Sequence, residues 1–318
     1  MRLAKLLIAA ASFFCAAAHA QYPSKPIRLV VPFPPSGAAD LTARVVVPPL
    51  SAALGQPIVI ENKAGADGII AATDVARAAP DGYSLFFGTN TALCAAPVMR
   101  KNVPYDPLAD FTPISLIGTF GFFVFVNAEL PAKSMAELIA YARANPGKLN
   151  YGSGNSMSIL ATAQLKASER LDMLHVPYKG DAPASSDLLA GRIQLLIGTP
   201  GTLLPHAKEG TRVRALATLL QQRSPLLPDV PTMAELGQKG ISATPFAALL
   251  GPAKMPREVV ERLSREMAAV LARADVREGV GRHAFETRSS TPAELAGFLA
   301  EQVQTWRRSA AELGITPE

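Results

Sequence analysis

A chain of 318 residues with 31 Lys and Arg against 26 Asp and Glu carries a formal net charge of +5 at neutral pH. The basic residues are scattered without runs, which gives no basis for nucleic-acid or membrane-surface binding. With 49% hydrophobic and 18% charged residues, the composition is that of a globular chain, long enough for two ordinary domains.

The first twenty residues stand apart from the rest. Arg2 and Lys5 make a short basic start, Leu6 to Cys15 is apolar, and Ala18-His19-Ala20 has the small-x-small form of a cleavage site. The run is too short for a spanning helix. Cleavage after Ala20 and a periplasmic location are therefore expected. Cys94 is then the single remaining cysteine, so no internal disulfide forms, and it is expected to be buried and inert. No apolar run after residue 20 reaches spanning length. The most apolar, Phe120 to Val126, is bracketed by Gly118 and Asn127 and reads as a buried strand.

Ile27 to Val31 is a short apolar run stopped by Pro32, Pro34 and Pro35, and Ser36-Gly37 opens a helix from Ala38 to Leu54 closed by Gly55. Pro48 and Pro49 inside that helix predict a kink or division near Val45 to Val47. Ile58 to Ile60 is a second strand, an alanine-rich helix runs to about Ala78, and Tyr83 to Gly88 is a third strand ending at Thr89-Asn90-Thr91. This alternation predicts α/β structure with a parallel sheet. After the proline-rich stretch Pro104 to Pro113, Ile114 to Val126 forms two apolar halves around Gly118 and Gly121, suited to leaving one sheet and entering another.

The alternation then restarts. Ser134 with Glu137 has capping-box spacing before a helix. Strands are expected at Leu149 to Tyr151, Leu174 to Val176, Ile193 to Ile197 and Val213 to Ala217, with helices through Lys166 and from Pro183 to Leu189. Phe246 to Leu250 and Phe285 to Thr287 are further strands, and Pro256 to Arg273 and Pro292 to Leu313 are helices. Two α/β sets joined by two extended connections predict two lobes flanking a cleft.

The residues offer little for catalysis. His175, His206 and His283 lack metal-ligand spacing, and no nucleophile elbow, phosphate loop or H-E-x-x-H motif occurs. No catalytic residue, metal ligand or cofactor is expected. Neutral polar residues recur instead at strand ends: Ser36-Gly37, Thr89-Asn90-Thr91, Ser153 to Ser158, and Thr199. Each such loop precedes a helix start, so hydroxyls, amides and free N–H groups converge to hold a small carboxylate without a fixed counter-charge. Asp40 reads as structural, in the first helical turn with Arg44 at i+4. Lys179, the one cation at a strand end, can pair with a ligand or with Asp181 or Asp187. Met157, Phe120, Phe122 and Phe123 hint at an apolar component near the site.

The blocks YPSKPIRLVVPFPPSGAAD, LGQPIVIENKAGADG, PYDPLADFTPISLIG, ELIAYARANPGKLNYGS and HVPYKGDAPASSDLLAG resemble the Bug-type periplasmic solute-binding proteins, receptors of tripartite tricarboxylate transporters. The likeness runs from Tyr22 to Leu313-Gly314-Ile315. It implies an α/β, two-lobed Venus-flytrap fold with two crossover segments, lobe 1 at 21–122 and 249–318 and lobe 2 at 123–248. It also implies a small-carboxylate site at Phe33, Ser36, Gly37 and Ala38, Thr89 and Asn90, and Ser153, Asn155, Ser156 and Ser158. The expected protein is a monomer that presents its ligand to a membrane permease. A sensor docking on a membrane signalling receptor is the alternative use of the same fold, and a periplasmic hydrolase or transferase the alternative of a different class. The chain departs from the family's pattern at the site: Ser36 stands where glycine is usual, and Asn155-Ser156-Met157-Ser158 replaces a glycine- and histidine-bearing continuation.

Overall fold

The computed structural model describes residues 22–178, 180–238 and 245–317. In chain order these form β1 (Ile27–Val31), α1 (Ala38–Leu54), β2 (Ile58–Asn62), α2 (Ile69–Ala76) and β3 (Ser84–Thr89). A π-helical turn, Thr91–Ala95, runs into α3 (Ala96–Met99), followed by β4 (Phe111–Phe120), β5 (Phe123–Asn127), α4 (Met135–Ala144), β6 (Asn150–Ser153) and α5 (Ser156–Glu169). The chain continues through β7 (Leu174–Pro177), α6 (Asp181–Leu189), β8 (Leu195–Gly198), α7 (Leu204–Glu209) and β9 (Val213–Thr218). It closes with β10 (Phe246–Pro252), α8 (Arg257–Leu271), α9 (Ala274–Gly281), β11 (Phe285–Thr287) and α10 (Pro292–Glu312).

Two sheets result, one ordered β11-β4-β10-β3-β1-β2 and the other β7-β6-β8-β5-β9. The short apolar runs become strands because their side chains are covered; all seven residues of β10 are buried. Parallel pairing holds for β1 with β2 and β3, and for β6 with β7 and β8. The sheets are nevertheless mixed, a correction to the expected parallel arrangement. β10 lies antiparallel to β3 and β4, and β5 antiparallel to β8 and β9. These two strands arrive from the other sheet and not through a returning helix, so no βαβ crossover fixes their direction.

The apolar halves around Gly118 and Gly121 do separate into two sheets, β4 in the first and β5 in the second. Gly118 is required where β4 meets β11: a Cβ there would come within 2.0 Å of the Glu286 carbonyl oxygen. The crossing is anchored at Phe122, whose carbonyl accepts bonds from Thr218 Oγ1 at 3.0 Å and the Leu219 N–H at 2.8 Å. The Phe120 N–H in turn donates to the Pro245 carbonyl at 2.8 Å and ties the outgoing crossing to the returning one. Because β10 begins at Phe246 and pairs wholly within the first sheet, a lobe boundary between residues 248 and 249 would cut that strand.

Helix α1 runs undivided through Pro48 and Pro49, where a kink or division was expected. Its buried stripe of Ala39, Ala43, Val46, Val47, Leu50 and Leu54 keeps helical spacing across the prolines, and packing overrides the local penalty. Gly55, in the left-handed region at φ 74°, caps it through bonds to Ser51 and Ala52 carbonyls. Cys94 is fully buried, and burial pushes its thiol far up, so it is inert as expected. The capping box at α4 is half formed. Ser134 Oγ accepts the Glu137 N–H at 3.2 Å, but Glu137 reaches back to the Lys133 N–H at 2.6 Å. Ser134→Ala is expected to lower the unfolding free energy by about 1 kcal/mol, read from the urea midpoint at unchanged slope.

Candidate functional site

The turn after β1 owes its shape to Asp40. The Ser36 N–H donates to Asp40 Oδ2 at 2.8 Å, and Arg44 Nε donates to the same oxygen at 2.8 Å. Asn62, the last residue of β2, donates from Nδ2 to Asp40 Oδ1 and to the Phe33 carbonyl, each at 3.0 Å. Asp40 is only 1% exposed. Burial pushes its carboxyl up, but the bonds from Arg44, the Ser36 N–H and Asn62 outweigh that and hold it below the ordinary carboxylate range. The structural role read for Asp40 is therefore correct in kind, with Asn62 as a partner that sequence spacing did not reveal. Ser36 itself has φ 66°, the left-handed region that glycine enters without cost. It lines a cavity of about 330 Å³ that lies between loops of the two sheets.

Phe33, Ser36, Gly37 and Ala38 all line this cavity. The first N–H groups of α1 have no intrahelical acceptor there, and Gly37 supplies no side-chain cap. Thr89 and Asn90, at the end of β3, line it too and are 2% and 4% exposed. Asn90 Oδ1 accepts the Phe246 N–H at 3.3 Å, which fixes the amide's orientation and makes Nδ2 the remaining donor. That Nδ2 and Thr89 Oγ1 are buried and have no hydrogen-bond partner among the described residues. Two orphaned polar groups on one cavity wall are what a bound polar ligand would satisfy.

The second sheet contributes a different chemistry. Asn155 caps α5, its Oδ1 accepting the Ser158 N–H at 3.0 Å, while its Nδ2 donates to Asp181 Oδ1 at 2.8 Å. Thr199 Oγ1 donates to Asp181 Oδ2 at 2.8 Å, and the Thr199 N–H approaches the same oxygen at 3.4 Å. Asn155, Asp181 and Thr199 all line the cavity. Burial raises the Asp181 carboxyl above its ordinary value, against the lowering effect of bonds from Thr199 and Asn155. Gly154 permits this approach, since a Cβ there would lie 2.4 Å from the Asp181 nitrogen.

Ser153, Ser156 and Ser158 do not line the cavity. Ser153 Oγ pairs with His175 Nε2 at 2.6 Å across the β6–β7 pair, and Ser158 is taken up by the Asn155 cap. The reason is strand alternation and helix phase, which turn these serines into the second sheet's layer while Gly154 and Asn155 face the gap. Ser153 is 2% exposed, so its pairing with His175 presents no accessible nucleophile. Of the apolar candidates, Phe120, Phe122 and Met157 line the cavity, whereas Phe123 packs with Phe125 in a separate cluster.

Lys179 lies outside the described residues. Asp187 accepts bonds from Tyr178 Oη at 2.7 Å and Arg192 Nη1 at 2.8 Å and does not line the cavity. Arg282 and His283, in the turn between α9 and β11, do line it and carried no sequence signal. Burial, and then the neighbouring Arg282, lower the His283 pKa and favour the neutral ring. Among the described residues no group of three His, Cys, Asp or Glu side chains could hold a metal ion, and no helix is long and apolar enough to cross a membrane.

Residues 42–315 match the family described as tripartite tricarboxylate transporter family receptor. Protein BugT of Bordetella pertussis (strain Tohama I) is 34% identical over 314 residues, covering 97% of this chain and 95% of that one. A solved R. palustris protein with adipate superposes with a TM-score of 0.86 at 33% identity, over 93% of this chain and 100% of that chain. MatC from Rhodopseudomonas palustris, solved with bound malate, superposes with a TM-score of 0.81 at 30% identity, over 91% and 99%. The two-sheet architecture is thus the two-lobed fold of periplasmic solute-binding proteins. The chain belongs to the Bug-type receptor family of the tripartite tricarboxylate transporters.

Proposed function

We propose that the mature chain, cleaved after Ala20, is a periplasmic receptor that binds a small carboxylated solute in the inter-lobe cavity and delivers it to a tripartite tricarboxylate permease. The observation that carries this reading is the pair of partnerless, buried groups on the cavity wall, Thr89 Oγ1 and Asn90 Nδ2. Beside them stand the unpaired N–H groups at the start of α1. Arg282 adds a cation at the same cavity, and Phe120, Phe122 and Met157 accommodate hydrocarbon. The adipate and malate bound by two relatives are of this chemical class. The binding set proposed is Phe33, Ser36, Gly37, Ala38, Thr89, Asn90, Asn155 and Thr199.

The lobes proposed are 21–122 with the C-terminal segment, and 123 to the return crossing, with 246–248 assigned to the first lobe because β10 pairs there. Closure of these lobes around the ligand is the signal read by the permease, and the ligand leaves unaltered. A thermal-shift screen of mono-, di- and tricarboxylates tests the reading. A binder at about 100 times its Kd is expected to raise the melting temperature by several degrees, and Asn90→Ala is expected to weaken that binder about tenfold or more. If no carboxylate shifts the transition, or if NMR shows the bound acid turned over, the receptor reading fails.

A further inference from the structure

We propose that the solute is a carboxylate that also carries an ammonium group, and that Asp181 is the acceptor which selects for that group. This rests on the carboxylate reading above and deepens it.

The Asp181 carboxylate lines the same cavity as the donors, but its chemistry is opposite. Among the described residues its two oxygens are held by neutral groups only, Asn155 Nδ2, Thr199 Oγ1 and the Thr199 N–H. No cationic side chain among the described residues acts on it. A carboxylate has about four lone-pair directions, so three bonds leave room for one more. All three existing partners are donors, which holds the group ready to accept and not to donate. The carboxylate is partly shielded from water at the cavity wall, and a positive group entering the cavity would give it the counter-charge that no described residue supplies.

The cavity is therefore polar at two ends. On the first sheet's side, Asn90 Nδ2, the start of α1 and Arg282 favour negative charge. On the second sheet's side, Asp181 favours a positive hydrogen-bond donor. Leu41, Phe120, Phe122, Met157 and Leu204 supply the apolar lining and suit a hydrocarbon spacer. A plain dicarboxylate would set one of its anionic ends against Asp181 or leave Asp181 unpaired. An aminocarboxylate satisfies both ends at once.

The test is calorimetric titration of the full mature protein with matched acids: glutarate, glutamate and 5-aminopentanoate, and succinate with aspartate. On the wild type, at least one amine-bearing acid is expected to bind about tenfold or more tightly than its amine-free counterpart. In Asp181→Asn, checked for retained folding by its melting curve, that preference is expected to disappear, with glutarate and succinate binding as well as or better than before. Amine-free acids that match or exceed the amine-bearing ones on the wild type overturn this inference and leave the carboxylate reading standing. A preference that survives in Asp181→Asn also overturns it. Absence of binding by every acid overturns both readings. The wild-type comparison needs no variant, so a folding defect in Asp181→Asn does not rescue the idea.

Discussion

Asp40→Ala is expected to lower the unfolding free energy by about 1–3 kcal/mol, and to weaken carboxylate binding about tenfold or more in the same protein. The stability loss comes from the donors that the alanine leaves behind. The Ser36 N–H and one bond of Asn62 Nδ2 lose their acceptor in a partly buried place, where each lost bond costs about 0.5–1.5 kcal/mol. Arg44 is 54% exposed and turns to water, so its lost ion pair adds little. Binding suffers because Ser36 is held in a left-handed conformation by that same carboxylate, and a released turn no longer presents its N–H groups at one fixed place.

The acid limb of stability provides a second readout. The folded-state pKa of Asp40 lies below its unfolded value of about 3.9, so its contribution is fully present at neutral pH and is lost as pH falls through the folded value. Urea unfolding at pH 7 and near pH 3 is expected to show a smaller acid-induced loss in Asp40→Asn than in the wild type. An equal loss in both proteins would place the acid sensitivity elsewhere and contradict the role given to Asp40.

Gly154→Ala is expected to reduce ligand affinity by roughly 30–100-fold while the chain still folds. The added methyl would stand 2.4 Å from the Asp181 nitrogen, from Asp181 Oδ1 and from the Gly180 carbonyl carbon, and two of these three are backbone atoms that cannot rotate away. The loop before α5 and the start of α6 must separate, at an overpacking cost of about 1–3 kcal/mol. That movement breaks the Asn155–Asp181 bond and shifts both side chains on the cavity wall. Titration calorimetry together with a melting curve separates the two effects. Unchanged affinity in a folded Gly154→Ala protein would show that this wall takes no part in binding.

Much of the fold was readable because short apolar runs bounded by proline and glycine have few alternatives. Ile27 to Val31, Ala38 to Leu54 and Phe285 to Thr287 fall where expected, residue for residue. Strand direction was not readable, since β5 and β10 take theirs from crossings between sheets and not from local pattern. Helix α9 was missed because its buried positions, Val276 and Val280, are too few to mark a stripe. At the site, polar residues at strand ends identified Ser36, Thr89, Asn90, Asn155 and Thr199 as cavity neighbours. The same signal over-counted Ser153, Ser156 and Ser158, because composition does not say which way a side chain points at a strand–helix joint. Asn62 and Arg282 enter through tertiary contact alone. Asp181 was visible as a possible partner for Lys179, but its place on the cavity wall depends on the approach to Gly154.

The left-handed backbone at Ser36 limits how this wall can be varied, in evolution or by design. Small residues and asparagine or aspartate tolerate that conformation, whereas valine, isoleucine and threonine do not, because a branched Cβ crowds the backbone at positive φ. A β-branched residue here would have to flip the turn and give up the N–H bond to Asp40. Accessible changes of ligand preference at this position are therefore exchanges among short hydrogen-bonding side chains. Bulk, if it is to be added to this pocket, has to come from neighbouring positions whose backbone is ordinary, such as Ala38 on the same helix start.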